Sequence, residues 1–144
     1  MITVETTLTG DLANDLDRWT KQIHESVAFA GVAAMALVIY DEAMANTSGA
    51  RATGVAGAPP GVVTGHLHSA IYRVFSKTRS NDQLKTYQIS WNKTKAPHGF
   101  LVEYGTSHTP AHPFMRPAWS HVEQAIEAGR VRMKEKLAEI GGAA

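Results

Sequence analysis

Apolar residues in the first third of the chain recur at helical spacing. From Leu12 they return every three or four positions as far as Val38, and charged or amide side chains fill most other places up to Glu25. The pattern predicts one long helix that begins near residues 9–11 and runs to about Asn46. At 1.5 Å per residue such a helix is roughly 50 Å long, which is long for a domain of this size.

The second half of this predicted helix is apolar on nearly every side. Residues 28–36 contain no charged or amide side chain, so this stretch needs cover from more than one direction. The cover comes either from the rest of the same chain or from another subunit. In the second case the candidate interface residues are Phe29, Val32, Met35 and Leu37.

Residues 46–65 combine small side chains, several glycines and a Pro-Pro pair. This composition does not support a packed element, and it predicts a flexible loop. Loops longer than about 12–15 residues in compact domains are typically functional or disordered. A loop that becomes ordered only in an assembly fits both descriptions.

Residues 69–92 show the pattern of a β-hairpin. Tyr87, Ile89 and Trp91 alternate with polar residues, which is typical of a strand with one buried face. In residues 71–77, apolar side chains occur in both alternating sets, which predicts a first strand that is covered on both faces. The Ser-Asn-Asp sequence at 80–82 supplies the turn.

A third apolar segment and a final helix complete the predicted fold. Residues 97–119 hold few charges among many glycines, prolines and apolar side chains. Pro117 is favoured as the first residue of a helix, and apolar residues then follow at helical spacing up to Ile140. The sequence therefore predicts a single α+β domain over residues 1–144, with a long N-terminal helix, a small antiparallel sheet built on a hairpin, and a C-terminal helix.

Composition and net charge exclude only a few classes of function. The 144 residues carry a formal net charge of +1, which gives no bulk electrostatic argument for nucleic acid or an anionic membrane. The chain has no cysteine, which excludes disulfides, cysteine zinc ligands and a thiol nucleophile. The longest uncharged apolar run, residues 27–40, is shorter than the ~20 residues that span a bilayer, and no signal peptide is recognisable, so we expect no membrane partner.

Histidines and one carboxylate are the candidates for catalysis or metal binding. His98, His108 and His112 lack the carboxylate pattern and the fixed helical spacing of a metal site, although a small histidine-dependent metal enzyme remains an alternative. Glu103 would need a partner with a tuned pKa, and the nearest candidate is Arg116, which keeps a carboxylate ionised. An ion pair between these two residues is the favoured interpretation. We therefore expect no enzyme, no metal and no cofactor.

Basic and aromatic residues around the hairpin suggest a third class of function, a nucleic-acid-binding module. Arg73 and Lys85 lie in the same predicted hairpin as Tyr72, Phe75 and other aromatic residues. Cations and aromatic rings together can form a surface on which bases stack. Such aromatics more often belong to a core, and such cations protect the edges of a sheet. Sequence-specific DNA binding is therefore not expected.

Three short segments of the chain, taken together, resemble the motifs of a known protein family. Residues 64–71 read Thr-Gly-His-Leu-His-Ser-Ala-Ile, residues 100–106 read Phe-Leu-Val-Glu-Tyr-Gly-Thr, and residues 113–118 read Pro-Phe-Met-Arg-Pro-Ala. In this order and spacing they resemble the head–tail joining, or tail-completion, neck proteins of long-tailed bacteriophages. The one visible departure is the alanine between Ser69 and Ile71. The resemblance covers most of residues 10–140.

The resemblance implies a structural virion protein, made in the host cytoplasm, that assembles as a six- or twelve-fold homo-oligomeric ring at the head–tail junction. Its partners would be neighbouring neck and tail proteins, and DNA would pass through the lumen without sequence-specific contacts. A tail terminator or a minor capsid protein is the alternative within the same class. The residues expected to form a structural clamp between the sheet and the last helix are Glu103, Gly105, Phe114, Arg116 and Pro117.

Overall fold

The computed structural model describes residues 10–47 and 66–141, and these form two long helices, a two-stranded antiparallel sheet and three short helices. This arrangement confirms the α+β class and the element order that the sequence predicts. The predicted flexible loop at 46–65 lies almost entirely outside the described residues. The elements in chain order are α1 (Gly10–Asn46), α2 (His66–Ala70), β1 (Ile71–Phe75), β2 (Tyr87–Trp91), α3 (Gly99–Tyr104), α4 (Met115–Trp119) and α5 (Val122–Gly141).

Helices α1 and α5 approach closely through two glycines. Met133 of α5 lies over Gly31, and Met35 of α1 lies over Gly129. A Cβ atom at Gly129 would lie 2.5 Å from Met35 Cε and 3.2 Å from the backbone oxygen of Gly31. Each glycine therefore leaves the space that a methionine of the other helix fills, and the two helix backbones lie close together.

The hairpin packs against α1 through aromatic rings. Strands β1 and β2 pair antiparallel, with Ile71 opposite Trp91 and Phe75 opposite Tyr87. The ring of Phe29 in α1 meets the ring of Phe75 edge-on at a centroid distance of 5.1 Å and lies 5.8 Å from the ring of Tyr87. These three rings attach the loop end of the hairpin to the middle of α1.

Strand β1 is less covered than its sequence predicts. Ile71 is buried and Phe75 is half-buried, but the three residues between them are exposed. The prediction of a strand covered on both faces is wrong because the described sheet has only two strands and α1 packs on one side of it. Residues 69 and 70, expected in this strand, belong to α2 instead.

The connection between the strands is longer than a tight turn. It covers residues 76–86 and contains a single turn of 3₁₀ helix at Lys77–Arg79. The Asn81 side chain accepts hydrogen bonds from the backbone amides of Gln83 and Leu84, which bends the chain in the predicted turn region. An ion pair of 2.5 Å between Asp82 and Lys21 joins this connection to α1.

The buried core lies at the C-terminal end of α1. Ile39 and Ala43 of α1 meet Ile71, Phe114 and Ala118 there, and all five side chains are buried. At the other end of α1, every side chain from residue 12 to residue 20 is exposed. One long helix is therefore anchored at one end and leaves its opposite end without cover from the described part of the chain.

Candidate functional site

Glu103 is the one charged side chain that is buried among residues 12–47 and 67–141, with 2% of its surface exposed. It lies in the last turn of α3, and its carboxylate faces the start of α4. Oε2 accepts hydrogen bonds from the backbone amides of Phe114 at 2.8 Å and Met115 at 3.0 Å, and Oε1 accepts one from the amide of Arg116 at 3.0 Å. The carboxylate thus binds three successive free amides where a helix begins, a position that stabilises negative charge.

The Arg116 side chain also binds Glu103, from the solvent-exposed side. Its Nε donates to Glu103 Oε1 at 3.1 Å, and a terminal nitrogen donates to the backbone oxygen of Glu103 at 2.7 Å. Its guanidinium also lies over the ring of Tyr104, 5.1 Å from the centroid. We call the Glu103 carboxylate, the amides of residues 114–116 and the Arg116 side chain the Glu103 clamp. The ion pair that the sequence suggested between residues 103 and 116 is present.

Pro117 explains why an acceptor from elsewhere in the chain is needed. It is the third residue of α4, not the first residue of the final helix as expected, and it has no backbone N–H. The amides that need an acceptor at this helix start are therefore those before it. Phe114 occupies the N-cap position, and no side chain there caps the helix. Glu103 supplies the missing acceptor from eleven residues upstream.

The clamp is fixed to the rest of the core through Phe114. The Phe114 side chain is buried, and its ring meets the ring of Trp91 edge-on at 5.5 Å. Its backbone oxygen accepts a hydrogen bond of 3.1 Å from the Asn46 side chain at the end of α1. The clamp consequently holds α3 and α4 against both the sheet and the anchored end of α1.

Two opposing effects set the pKa of Glu103. Burial raises the pKa, but the hydrogen bonds from the amides of Met115, Phe114 and Arg116 and from the Arg116 side chain outweigh burial and lower the pKa below 4.5. A carboxyl group that stays ionised throughout the neutral range is a poor general acid or base near pH 7. The geometry and the pKa both favour a structural role.

Gly105 ends α3 in a backbone conformation that other residues rarely adopt. Its φ of 76° and ψ of −178° lie in a region that is essentially restricted to glycine. A Cβ atom at this position would also lie 2.7 Å from the backbone nitrogen of Ala111 and 3.0 Å from the backbone oxygen of Thr109. Both contacts are with backbone, which cannot move aside as a side chain can.

We therefore expect Gly105→Ala to lower the free energy of unfolding by about 2–3 kcal/mol, because strain and overlap act together. Chemical denaturation followed by circular dichroism measures the change. Gly141→Ala is the matched control, since a Cβ atom at Gly141 meets nothing within 4 Å. Equal stability of the Gly105 variant and the control would show that the segment after α3 adjusts freely and that Gly105 does not support the clamp.

Exposed apolar side chains lie beside the clamp. Phe100, Leu101 and Tyr104 of α3 are each more than half exposed, and the rings of Phe100 and Tyr104 lie 4.6 Å apart. Trp119 of α4 is 64% exposed. These exposed residues were not among the predicted interface residues, although large apolar residues on both sides of Glu103 were the available signal. Surfaces of this kind mark sites of interaction with other molecules.

The four candidate interface residues of α1 divide into two pairs. Phe29 and Leu37 are about two-fifths exposed and line an open groove beside α1. Val32 and Met35 are half-buried, and Met35 is engaged over Gly129 inside the same subunit. Phe29 and Leu37 are therefore the better placed of the four for contact with a neighbour.

Helix α1 also meets the length and composition of a membrane-spanning helix from residue 12 to residue 46. In its most apolar 18-residue stretch 22% is fully buried, and residues 26–46 are for the most part half-buried. Core helices of soluble proteins can share this composition, but they are normally covered. The exposed residues of this stretch, Phe29 and Leu37 among them, are candidates for contact with a partner surface.

The histidines of the described part of the chain do not form a metal-binding cluster. Among the described residues, no three histidine, aspartate or glutamate side chains lie close enough to hold a metal ion. His98 and His112 are half-buried, and His108 is exposed on the segment between α3 and α4.

No protein-family model, curated protein or solved structure matches the chain.

Proposed function

We propose that the protein is a structural subunit of a tailed-phage virion that assembles as a ring at the junction of head and tail. One observation carries the proposal. The long apolar helix α1 is anchored at one end, while most side chains along its apolar stretch are only half-buried and Phe29 and Leu37 are exposed. Partly exposed apolar side chains grouped along one helix are typical of a surface that associates with another subunit.

The Glu103 clamp supports the same proposal. Two of the three segments that resemble phage neck proteins meet in it, since residues 100–106 provide the carboxylate and residues 113–118 provide the amides and Arg116. The third segment includes α2 and the start of β1, next to the buried Ile71. The segments that resemble the family's motifs are thus joined in one scaffold, since Ile71 and Phe114 belong to the same buried cluster.

Assembly would follow from surfaces that lie outside the clamp. The clamp holds α3 and α4 rigid, while the exposed face of α1 and the apolar side chains of α3 remain available to neighbours. Contact between two different surfaces of successive subunits closes into a ring when the rotation between them divides a full turn. The near-neutral charge of the chain suits a DNA channel that makes no sequence-specific contacts.

Inactivation of the gene in the phage or prophage genome that carries it tests the proposal. We expect particles with DNA-filled heads but no attached tails, together with free tails, in electron micrographs. Expression of the wild-type gene from a plasmid should restore joined particles. Abnormally long tails would instead identify a tail terminator. Normal infectious particles, or failure to form any head, would overturn the proposal.

A further inference from the structure

An open groove of about 850 Å³ lies between α1, the hairpin and α5. Its floor is apolar and consists of small and large side chains of α1, among them Phe29, Ala33 and Leu37. Phe29 and Leu37 lie eight residues apart, which corresponds to about 12 Å along a helix. The groove therefore presents an apolar floor a little over two helical turns long.

The rim of the groove is basic. Arg73 and Lys85 lie on the hairpin side, Arg132 and Lys136 lie on the α5 side, and Glu25 is the carboxylate among the lining residues. The α5 cations also pair with carboxylates of their own helix, and Lys85 lies 4.0 Å from Glu25.

Arg73 differs from the other cations of the rim. Within the described residues its contacts are the backbone oxygen of Ala33 at 3.5 Å and the ring of Tyr40 at 5.8 Å from the centroid, and no described carboxylate pairs with it. The groove thus combines an apolar floor with a cation that has no acidic partner in the described part of the same subunit.

The exposed end of α1 has the complementary character. Residues 12–20, which we call the arm, present Leu12, Leu16 and Trp19 at helical spacing on one side. Asp15 lies beside this apolar stripe, and its pairing with Arg18 is an exposed i,i+3 contact that contributes little. The stripe is about 10 Å long, which matches the groove floor.

We propose that the groove binds the arm of a second copy of this chain. The arm cannot reach the groove of its own subunit, because Trp19 and Leu37 lie on one helix about 27 Å apart. The contact buries Trp19 and Leu16 on Phe29 and Leu37, and brings Asp15 to Arg73. Arm and groove are different surfaces, so repetition of the contact from subunit to subunit is head-to-tail. This inference deepens the proposed ring and rests on it only for the closure of the repeat.

Cross-linking of engineered cysteines tests the contact, since the natural chain contains no cysteine. Trp19→Cys and Leu37→Cys are prepared as separate variants of the full chain, checked for folding by circular dichroism, mixed and oxidised. We expect the mixed disulfide to exceed both homodimers. Trp19→Cys mixed with Ala138→Cys, an exposed position on α5 away from the groove, measures random collision. A mixed yield at that background, or an excess of Trp19 homodimer, would overturn the inference.

Charge reversal provides a second measurement on the same mixture. Arg73→Glu in the Leu37→Cys chain is expected to lower the mixed-disulfide yield about fivefold, and Asp15→Arg in the Trp19→Cys chain should restore it. Loss without restoration would contradict the Asp15–Arg73 pairing and with it the proposed orientation of the arm.

A chain that carries both cysteines separates this inference from the proposed ring. A ladder of cross-linked species that ends at a single closed size supports both. A product that stops at the dimer confirms the arm–groove contact and contradicts the ring, because two arms then exchange between two copies. Background cross-linking in the mixture contradicts the arm–groove contact whatever the particles of the gene-inactivation experiment look like.

Discussion

Glu103→Ala is expected to lower the free energy of unfolding by about 3 kcal/mol, a large share of the 5–15 kcal/mol that typically stabilises a domain. The substitution removes the acceptor of three backbone amides and of the Arg116 guanidinium at once. Phe114 is buried, so its amide has little access to water as a replacement partner. Urea denaturation followed by circular dichroism measures the loss, which corresponds to a fall in Tm of roughly 10 °C.

Two controls separate the clamp from general loss of charge. Glu127→Ala removes an exposed carboxylate whose pairing with Arg130 is a surface contact of 3.6 Å, and it should change stability by less than about 0.5 kcal/mol. Arg116→Ala should cost about 1 kcal/mol, because this side chain is more than half exposed and the three amide bonds remain. A Glu103 variant as stable as the Glu127 variant would disprove the structural role of the clamp.

The pH dependence of stability provides an independent check on Glu103. Its pKa is lowered in the folded protein, so it binds a proton more weakly there than in the unfolded chain. The stability that it contributes is therefore fully present above the unfolded pKa of about 4.5 and is lost as the pH falls through the lower folded value. The difference in unfolding free energy between wild type and Glu103→Gln should shrink as the pH is lowered from 6 through this window. A constant difference would exclude ionisation of Glu103 as the cause.

Gly129→Val should lower the free energy of unfolding by about 3 kcal/mol through overpacking of the contact between α1 and α5. The added side chain would meet Met35 Cε at 2.5 Å, Met35 Cγ at 2.6 Å and the Gly31 backbone oxygen at 3.2 Å. The methionine terminus can move aside, but the backbone oxygen cannot unless the two helices separate. Thermal unfolding by calorimetry or circular dichroism measures the effect.

A coupled pair of substitutions tests the cause of that loss. Gly129→Ala alone gains helix propensity but still overlaps Met35, whereas addition of Met35→Ala removes most of the overlap. The two changes should therefore be less destabilising together than the sum of their separate costs. Strict additivity would show that Met35 and residue 129 do not meet, and the packing of α1 on α5 would need revision.

The long helices were predictable because their information is periodic and local. An apolar repeat from Leu12 to Val38, without an internal proline, specifies α1, and the observed bounds of this helix, Gly10–Asn46, agree closely with the prediction. The alternation at Tyr87–Trp91 likewise specified β2. The exposure of β1 could not be predicted from the sequence. The burial of a strand depends on how many layers pack around it, and the local sequence pattern does not specify how many there are.

The break before α5 was also missed, for a related reason. Ser120 Oγ bonds back to the Pro117 oxygen at 2.6 Å, and the amide of His121 bonds to Ala118 at 3.2 Å, so one short helix ends before the next begins. Serine and histidine are also compatible with a continuous helix, and the apolar spacing runs on across them. The break depends on how α4 docks in the core.

Only part of the Glu103 clamp could be predicted from the sequence. Opposite charges at residues 103 and 116 in an apolar segment suggested the ion pair, and that contact is present. The main hydrogen-bond partners of the carboxylate are backbone amides. Every residue except proline has such an amide, so the sequence does not show which amides the carboxylate binds. The position of Pro117 three residues into α4 was the only hint that the preceding amides need an acceptor.

The uncovered arm of α1 has a consequence for the timing of assembly. Turns of helix that lack tertiary contacts open and close readily, so the arm of a free subunit belongs to the least stable part of the fold. Docking must first order it, and the lost conformational entropy subtracts from each pairwise contact. Two subunits that meet in dilute solution would then separate quickly, whereas subunits gathered at one site would hold each other through several contacts at once. A fraying arm would in this way weaken each single contact and favour structures in which several copies hold one another at once.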